Sequence, residues 1–387
     1  MGLPTAETAC FVIADISGYT RYLSGVELDH AEDILADLIG TIVGSLHPPF
    51  RLAKLEGDAA FFYAPGSELE GLAFQDAIDA AYITFRRRLR DITHASVCTC
   101  QACHRMGDLD LKFVSHHGAY VLHSMAGLEE LSGRDVILVH RLLKNGVPER
   151  LSGHAYALFT DASVAAMGID AAAQGLIRHS EEIEHLGEVT CWVRDLEAAW
   201  KDDKSGRRVM VEPKDAAVVR EYDLAAPRPL VWDHFNRPDL RVLWRATNGV
   251  DEAYANGRRG AGTVIHCMHG ADVLIEEILD WRPYDYVTQA TILPAPDAPR
   301  IPITFAFSES EGPGGPFTRF SARIARLDGP AADFVAAVAP VFALQLDGEI
   351  ETLRSLLADA LSQAPGGPET AAPVSASRFL TEPVTGP

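Results

Sequence analysis

The sequence predicts an α+β protein built from two domains. In the first half, short apolar strands alternate with amphipathic helices, beginning with a strand at residues 11–14. In the second half, successive strand patterns between residues 263 and 327 precede one long helical stretch at 331–361. A chain of 387 residues is long enough to bury two such cores. We expect domains at 1–200 and 214–362, a linker at 201–213 and a disordered, Pro/Gly/Ala/Thr-rich tail at 363–387.

The elements of the first half predict a ferredoxin-like core. A helix with apolar residues at spacings of three and four follows the first strand and ends at Pro48-Pro49. The remaining elements are a hairpin at 50–63, a helix at 72–89, strands at 111–116 and 119–123 joined by a turn at His117-Gly118, a helix at 137–145, a strand at 155–159 and a hairpin at 183–193. The order βαββαβ with an added hairpin is that of a ferredoxin-like core.

Two short motifs each place an aspartate at the end of a strand. Asp15 follows the first strand and precedes a turn at Ser17-Gly18, after which unpaired N–H groups of a helix can face a phosphate. Asp58 lies beside the hairpin turn at Glu56-Gly57. If the two strands are neighbours, both carboxylates converge, which is the arrangement that two-metal phosphoryl chemistry needs. The alternative is that Asp15 caps a helix and Asp58 serves a turn.

These motifs resemble those of the class III adenylate/guanylate cyclase catalytic domain. Residues 13–20, IADISGYT, resemble the family motif F-x-D-I-x-G-[FY]-T, with Ile13 in place of the usual phenylalanine. Residues 54–58, KLEGD, match the second motif, K-x-x-G-D. His116-His117-Gly118 and the segment 130–141 resemble two further motifs of the family. The resemblance covers residues 8–197, about half of the chain.

The resemblance implies a two-metal site that binds a nucleoside triphosphate. Asp15, Asp58 and the Ile16 carbonyl would hold two Mg²⁺ or Mn²⁺ ions per site. The segment Gly18, Tyr19 and Thr20 would bind phosphates through its N–H groups. Family sites form between two chains, which implies a homodimer.

Further residues would contact the base and the reacting phosphate. The resemblance implies that Lys54 and Glu130 read the base, as a pair that leans towards adenine. Arg141 would stabilise charge on the reacting phosphate. Ile137 departs from the pattern, because the family keeps there an asparagine that orients the ribose. An isoleucine side chain cannot hydrogen-bond, so the ribose must be positioned by other groups or be positioned poorly.

Composition excludes some classes of partner. The formal net charge of −20 argues against nucleic-acid binding and against an anionic membrane surface, but a nucleotide's charge can be met locally by metal ions. We see no apolar run that approaches the length of a membrane span and no basic-then-apolar N-terminus, so we expect a cytoplasmic protein.

A dense cysteine cluster follows the second helix. Cys98, Cys100 and Cys103 are spaced C-x-C-x-x-C and are followed by His104. Three thiolates and a histidine can close a tetrahedral zinc site, with His94 or His123 as a more distant fourth ligand. The alternative is a set of reduced thiols in an inserted loop.

The second half resembles the START-like helix-grip (SRPBCC) superfamily. The stretch Asp223-Leu224-Ala225-Ala226-Pro227, followed by Val231-Trp232, is its most recognisable piece. In that superfamily a curved sheet wraps a long C-terminal helix around an apolar cavity, which implies a small hydrophobic ligand. The alternative is that Trp232, Trp244, Phe305 and Phe307 are packed core.

Together the two resemblances imply a nucleotidyl cyclase that converts a nucleoside triphosphate to a cyclic nucleotide and pyrophosphate. The pair Lys54 and Glu130 favours ATP as that substrate. The second domain would sense or carry the apolar ligand. Ile137 and the cysteine insertion support a different class, a non-catalytic nucleotide-binding or ligand-sensing protein with a degenerate cyclase domain. A third interpretation makes the second domain an enzyme of the polyketide cyclase/hydratase kind, but its sequence offers no acid/base pair to assign.

Overall fold

A computed structural model gives the structure of the protein. It describes residues 5–24, 26, 28–65, 69–95, 101–125, 128–151, 155–206, 208–255, 257–312 and 315–363. The predicted zinc ligands Cys98 and Cys100, the Cys103 side chain and the tail from residue 364 onward lie outside what is described.

The first domain alternates strands and helices. Its elements are β1 (Glu7–Ser17), α1 (Tyr19–Leu23), α2 (Leu28–Leu46), β2 (Arg51–Glu56), β3 (Ala59–Pro65), α3 (Gly71–Ala95), α4 (Gln101–Arg105), β4 (Asp110–Met125), β5 (Leu128–Ser132), α5 (Arg134–Arg141), β6 (Tyr156–Thr160), α6 (Asp161–Ala166), β7 (Ile177–Ile183), β8 (Gly187–Asp195) and α7 (Leu196–Ser205). The strands form one mixed sheet in the order β2-β3-β1-β4-β6-β8-β7, with β5 paired to β4. The part β2-β3-β1-β4 has the predicted ferredoxin-like order, with each neighbouring pair antiparallel.

The strand β1 lies at the centre of the site-forming half of this sheet. It pairs with β3 from Ala9↔Pro65 to Asp15↔Ala59 and with β4 along its whole length. Both of its faces are covered, which explains why residues 9–14 form an uninterrupted apolar run. The helix α2 buries the predicted stripe of Ile34, Leu38 and Ile42. The end of β1 is therefore a rigid platform for Asp15.

The prediction of a turn at His117-Gly118 is wrong. The strand β4 runs without interruption through these residues, because β1 pairs with it from Ser17↔Asp110 to Glu7↔Tyr120. Gly118 serves a close approach instead: a Cβ there would lie 2.4 Å from the Asp135 Cβ. The Asp135 carboxylate accepts a hydrogen bond from the Ala119 N–H at 2.7 Å.

Three other boundaries differ from the sequence prediction. The helix expected at 137–145 is α5, which begins at Arg134 and ends at Arg141, because Asn145 bonds the Leu142 carbonyl and the Val147 N–H in the turn that follows. The terminal hairpin pairs β7 with β8 through a turn in which His185 has a φ of 65°, so its first strand precedes residue 184. The expected linker at 201–213 is helical up to Ser205.

The second domain has the predicted helix-grip arrangement. Its elements are β9 (Ala216–Leu224), α8 (Arg228–Asn236), α9 (Pro238–Arg241), β10 (Gly249–Ala253), β11 (Val264–His269), β12 (Asp272–Arg282), β13 (Tyr286–Ile292), β14 (Ile301–Gly312), β15 (Gly315–Ala325) and α10 (Pro330–Gln363). The strands form an antiparallel sheet in the order β10-β11-β12-β13-β14-β15-β9, and β10 is an edge strand that the sequence analysis did not predict. The fold class, α+β with a long C-terminal helix, is confirmed.

Aromatic side chains fill the interior of the second domain. Phe235 lies 4.5 Å from Phe305 and 5.3 Å from Phe320, measured between ring centroids. Trp232 contacts Phe307 edge-on at 5.3 Å. All of these rings are buried, which favours the packed-core interpretation of these aromatic residues over a cavity lined by them.

The helix α10 is as long and apolar as a membrane-spanning helix, although the sequence analysis expected no apolar run of that length. Residues Pro330–Ser362 are long and apolar enough to cross a membrane by length and composition alone, with a hydropathy of 1.3. The helix nevertheless packs in the second domain through buried residues at spacings of three and four. These residues are Val335, Ala339, Ala343, Leu346, Ile350, Leu353 and Leu357.

Candidate functional site

The two aspartates singled out by the sequence lie at the same end of neighbouring strands. Asp15 ends β1 opposite Ala59, and Asp58 immediately precedes Ala59 in the turn between β2 and β3. The Ile16 N–H donates to the Asp58 carbonyl at 3.0 Å, which ties the turn to β1. Burial raises the pKa of Asp15, Lys112 lowers it, and the nearby negative charge of Asp58 raises it. The two carboxylates are therefore close enough to interact.

Lys112 is a site residue that the sequence analysis missed. It lies directly opposite Asp15 on β4, and its Nζ is 3.5 Å from the Asp15 Oδ1. The same ammonium group donates to the Leu143 carbonyl at 3.2 Å. It is the charged residue of the otherwise apolar stretch 111–114, and this charge within a strand could have marked it as a candidate site residue. Lys112 supplies a counter-ion whose positive charge opposes the rise in the pKa of Asp15 that burial causes.

The turn after Asp15 needs a glycine. Gly18 has a φ of 88°, and a Cβ there would lie 3.1 Å from the Asp108 carbonyl oxygen. The helix α1 begins at the next residue, and no side chain in the described part of the chain caps its N-terminus. The first N–H groups of a helix lack partners within the helix, so they are available to acceptors at this end.

Tyr19 carries a buried hydroxyl group that has no hydrogen-bond partner among the described residues. Burial, together with the charges of Glu32 and Asp58, raises the pKa of Tyr19 to about 12. The hydroxyl therefore stays protonated and remains a donor near Asp58.

The helix α5 forms the opposite wall. Ile137 is 54% exposed and presents apolar surface, while Arg141 lies 3.6 Å from Glu184. His140 is held from two sides: its Nδ1 is 2.7 Å from the Val136 carbonyl and its Nε2 is 3.1 Å from a Glu56 carboxylate oxygen. The hairpin that carries Asp58 is thereby connected to the wall that carries Arg141.

These elements enclose a pocket of about 1020 Å³. Its charged lining comprises the carboxylates of Asp15 and Asp58 and four cationic side chains, together with His140. The cationic residues are Arg21, Lys112, Arg141 and Lys144. In a protein with a formal net charge of −20, this excess of cations is local and suits an anionic ligand larger than a single phosphate.

The structure brings Asp15, Ile16, Asp58, Arg141 and the segment 18–20 to this pocket, but not the predicted base-reading pair. The Lys54 Nζ is 3.6 Å from a Glu130 carboxylate oxygen, so these two residues do meet each other. Both are half-exposed, and neither lines the pocket. Their role in one site with Asp15 therefore stays a prediction.

The donor set at Asp15 and Asp58 fits a hard divalent cation. Mg²⁺ is usually held by one or two carboxylates, with water and substrate phosphates supplying the other oxygen ligands. Within the described residues, no group of three or more His, Cys, Asp or Glu side chains could hold a metal. A metal at this site would therefore take its remaining oxygen ligands from water or from the phosphates of a bound ligand.

Comparisons with known proteins match a family profile and a mycobacterial protein to parts of the chain. The profile of the family described as "Protein of unknown function (DUF2652)" matches residues 35–151. The uncharacterized protein Rv2561/Rv2562 of Mycobacterium tuberculosis (strain ATCC 25618 / H37Rv) is 36% identical over 163 residues, which cover 42% of this chain and 73% of that protein.

Two solved structures are similar at low identity. The adenylyl cyclase CyaB from P. aeruginosa has a TM-score of 0.37 and 15% identity, over 50% of this chain and 97% of that chain. The protein MLL2253 from Mesorhizobium loti has a TM-score of 0.29 and 20% identity, over 37% of this chain and 96% of that chain. Values this low carry no weight for activity.

Proposed function

The chain belongs to the family of the mycobacterial protein Rv2561/Rv2562, and from its site we propose that the first domain is a metal-dependent nucleotidyl cyclase. Its substrate is a nucleoside triphosphate, and its products are a cyclic nucleotide and pyrophosphate. The observation that carries this proposal is the convergence of Asp15 and Asp58 beside a glycine turn, in a large pocket with a cationic wall.

Bound Mg²⁺ or Mn²⁺ would lower the pKa of the attacking ribose hydroxyl and offset the charge of the triphosphate and of the leaving pyrophosphate. The Asp15 and Asp58 carboxylates and the Ile16 carbonyl would hold the ions. The N–H groups of residues 18–20 would donate to phosphate oxygens, since the first turn of α1 has no side-chain cap. Arg141, on the opposite wall, would donate to the phosphate at which the bond forms.

Lys112 has a defined part in this scheme. Its positive charge opposes the rise in the pKa of Asp15 that burial causes, and so favours the carboxylate form that a metal ion needs. Since its Nζ is 3.5 Å from the Asp15 carboxylate, it also competes with a metal ion for that oxygen. Binding of the metal would shift Lys112 towards a phosphate oxygen or the Leu143 carbonyl, which it already contacts.

The base-reading pair supports a site shared between two chains. Lys54 and Glu130 contact each other but do not line the pocket of their own chain. A head-to-tail homodimer would bring this pair to the partner's pocket, and a lysine with a carboxylate favours adenine.

The second domain would carry a small apolar ligand. A pocket of about 270 Å³ lies between β9 and α10, and it is lined mainly by alanine and other aliphatic residues, together with Arg326.

A second candidate function is nucleotide binding without turnover. The observation that favours it is the apolar surface of Ile137, which is exposed in the pocket on α5 and offers the ribose no hydrogen bond. Poor orientation of the ribose hydroxyl would leave binding intact and lower the rate.

The two candidates differ in their products. We would incubate the full chain with ATP, GTP, CTP or UTP in the presence of Mn²⁺, identify products by mass spectrometry, and measure binding of the same nucleotides by calorimetry. Formation of a cyclic nucleotide supports the cyclase, and binding without product supports the second candidate. If no nucleotide binds and none is converted, both proposals are wrong.

A further inference from the structure

The two domains meet through a buried, charged interface on α3. The loop between β10 and β11 inserts Arg258 between two carboxylates of that helix: its Nη2 is 3.0 Å from the Asp76 Oδ1, and its Nη1 is 3.0 Å from the Asp79 Oδ2. Asp76 and Asp79 are 1% and 7% exposed. Trp281 of β12 donates its indole N–H to the same Asp76 oxygen at 3.2 Å. Asp79 also accepts from Arg194 at 2.7 Å.

The neighbouring Arg259 strengthens this contact from the same loop. Its guanidinium pairs with Glu252 of the second domain at 2.7 Å and lies 3.4 Å from Glu70 of the first. The loop backbone is also held, because the Gln174 side chain donates to the Gly257 carbonyl at 3.1 Å. A buried ion pair is costly to break, since removal of one partner leaves the other charge without compensation.

A second contact lies about two turns further along α3 and leads to the nucleotide pocket. Arg87 pairs with Asp285, in the turn between β12 and β13 of the second domain. The adjacent Arg86 lies 3.1 Å from the carboxylate of Asp110, the first residue of β4. Asp110 is the register partner of Ser17, one residue before Gly18. Two consecutive residues of α3 thus make different contacts. Arg87 contacts the second domain, and Arg86 contacts the residue that pairs with the end of β1.

The Gly18 turn is packed tightly against this same corner. The space that a Cβ of Gly18 would occupy is 3.1 Å from the Asp108 carbonyl oxygen, so the turn lies directly against the start of the segment 108–110. Displacement of α3 would pull on Asp110 through Arg86 and would widen or close the turn that faces the pocket.

We propose that docking of the second domain on α3, through Arg258 and Arg87, sets the geometry of the Gly18 turn and thereby regulates the nucleotide pocket. This inference rests on the proposed function for its consequence in turnover, but the mechanical link is a property of the chain itself. A ligand of the second domain acts on the pocket if it moves the loop between β10 and β11 or the turn at Asp285. Both contacts lie on one face of α3 and act together.

The link can be tested without any nucleotide. We would measure amide hydrogen exchange by mass spectrometry in the full chain and in an Arg258→Met variant, which keeps the apolar part of the side chain and removes the charge. We expect faster exchange at 254–262, where the loop is released, and at least about tenfold faster exchange at 15–21 and 108–112. The matched control is Arg354→Met, which removes an exposed arginine of α10 paired with Glu351.

A milder variant covers the case in which Arg258→Met does not fold. Asp285→Asn removes one half-buried charge that pairs with Arg87 and Arg228, and it should give the same pattern of exchange to a smaller extent. Faster exchange at the interface with unchanged exchange at 15–21 would overturn the inference. Nucleotide turnover and affinity are measured on the same samples. If the wild-type chain neither binds nor converts nucleotide, the proposed function fails while the exchange data still decide the link.

Discussion

Replacement of Asp233 by asparagine should change how stability depends on pH. Asp233 lies on α8 and is 6% exposed. Burial, helped by the negative charges of Asp76 and Glu70, raises its pKa to about 7 against the positive charges of Arg237 and Arg259. Burial likewise raises the pKa of Asp76 to about 6, against the opposing charges of Arg258 and Arg259. Both carboxyl groups are thus more easily ionised in the unfolded chain than in the folded one.

The direction in which the free energy of unfolding changes with pH depends on whether the folded or the unfolded chain holds the proton. Below the unfolded pKa of 3.8 both states are protonated, and the contribution of Asp233 to stability is complete. As pH rises towards the folded pKa, the unfolded chain releases its proton and the folded chain keeps it, so the free energy of unfolding falls by about 1.4 kcal/mol per pH unit. Between about pH 5 and about pH 8 the loss from Asp233 is about 3 kcal/mol.

The Asp233→Asn variant cannot undergo this titration. Relative to wild type it should therefore gain about 3 kcal/mol at about pH 8 compared with about pH 5, seen by calorimetry as a relative rise in Tm of about 6–12 °C. Asp272→Asn, at the exposed first residue of β12, is the matched control and should show no such difference. An equal change of Tm at both pH values would refute the assignment of a proton to buried Asp233.

Three further outcomes are expected. Ile137→Asn should raise the rate of cyclic-nucleotide formation about tenfold by adding one hydrogen bond to the ribose, whereas a lower rate with an intact fold would show that α5 is used differently. Lys112→Met should bind Mn²⁺ about tenfold more tightly in calorimetry without nucleotide, because a cation that competes for Asp15 is gone; unchanged or weaker binding would contradict that competition. Protein purified without added metal should contain about one zinc ion per chain by elemental analysis, and a Cys100→Ser variant should lose it; if the wild-type chain carries no zinc, the cysteine cluster is a structural insertion.

The sequence carried the local features of the site but not its long-range contacts. Asp15 and Asp58 could be singled out because each ends an apolar strand beside a glycine turn, and these patterns are local. Lys112 could not be paired with Asp15 in advance, since the register between β1 and β4 is set by pairing of distant segments. Arg258 and Asp76 are separated by 182 residues, and nothing in either segment identifies the other as its partner.

Glycine did not mark a turn at every position where the sequence analysis predicted one. Gly18 and Gly57 do lie in turns, as the sequence predicted, and the structure gives both a positive φ. Gly118 lies within the continuous strand β4, where a glycine is needed because Asp135 packs into the space that a side chain would occupy. That contact cannot be read from the sequence, because Asp135 comes from a different element. The helix-grip arrangement was predictable from alternating strands and a long helix, whereas the dense aromatic packing of its interior depends on which faces meet.

The most direct test of the central claim is the product formed by aspartate variants of the full chain. We would follow conversion of ATP with Mn²⁺ by mass spectrometry in wild type, Asp15→Asn, Asp58→Asn and the control Asp272→Asn, with circular dichroism to verify folding. The account predicts a cyclic nucleotide and pyrophosphate from wild type and from Asp272→Asn, and a loss of at least about a thousandfold in each of the other two variants. Product formation at the wild-type rate in either Asp15→Asn or Asp58→Asn would contradict it.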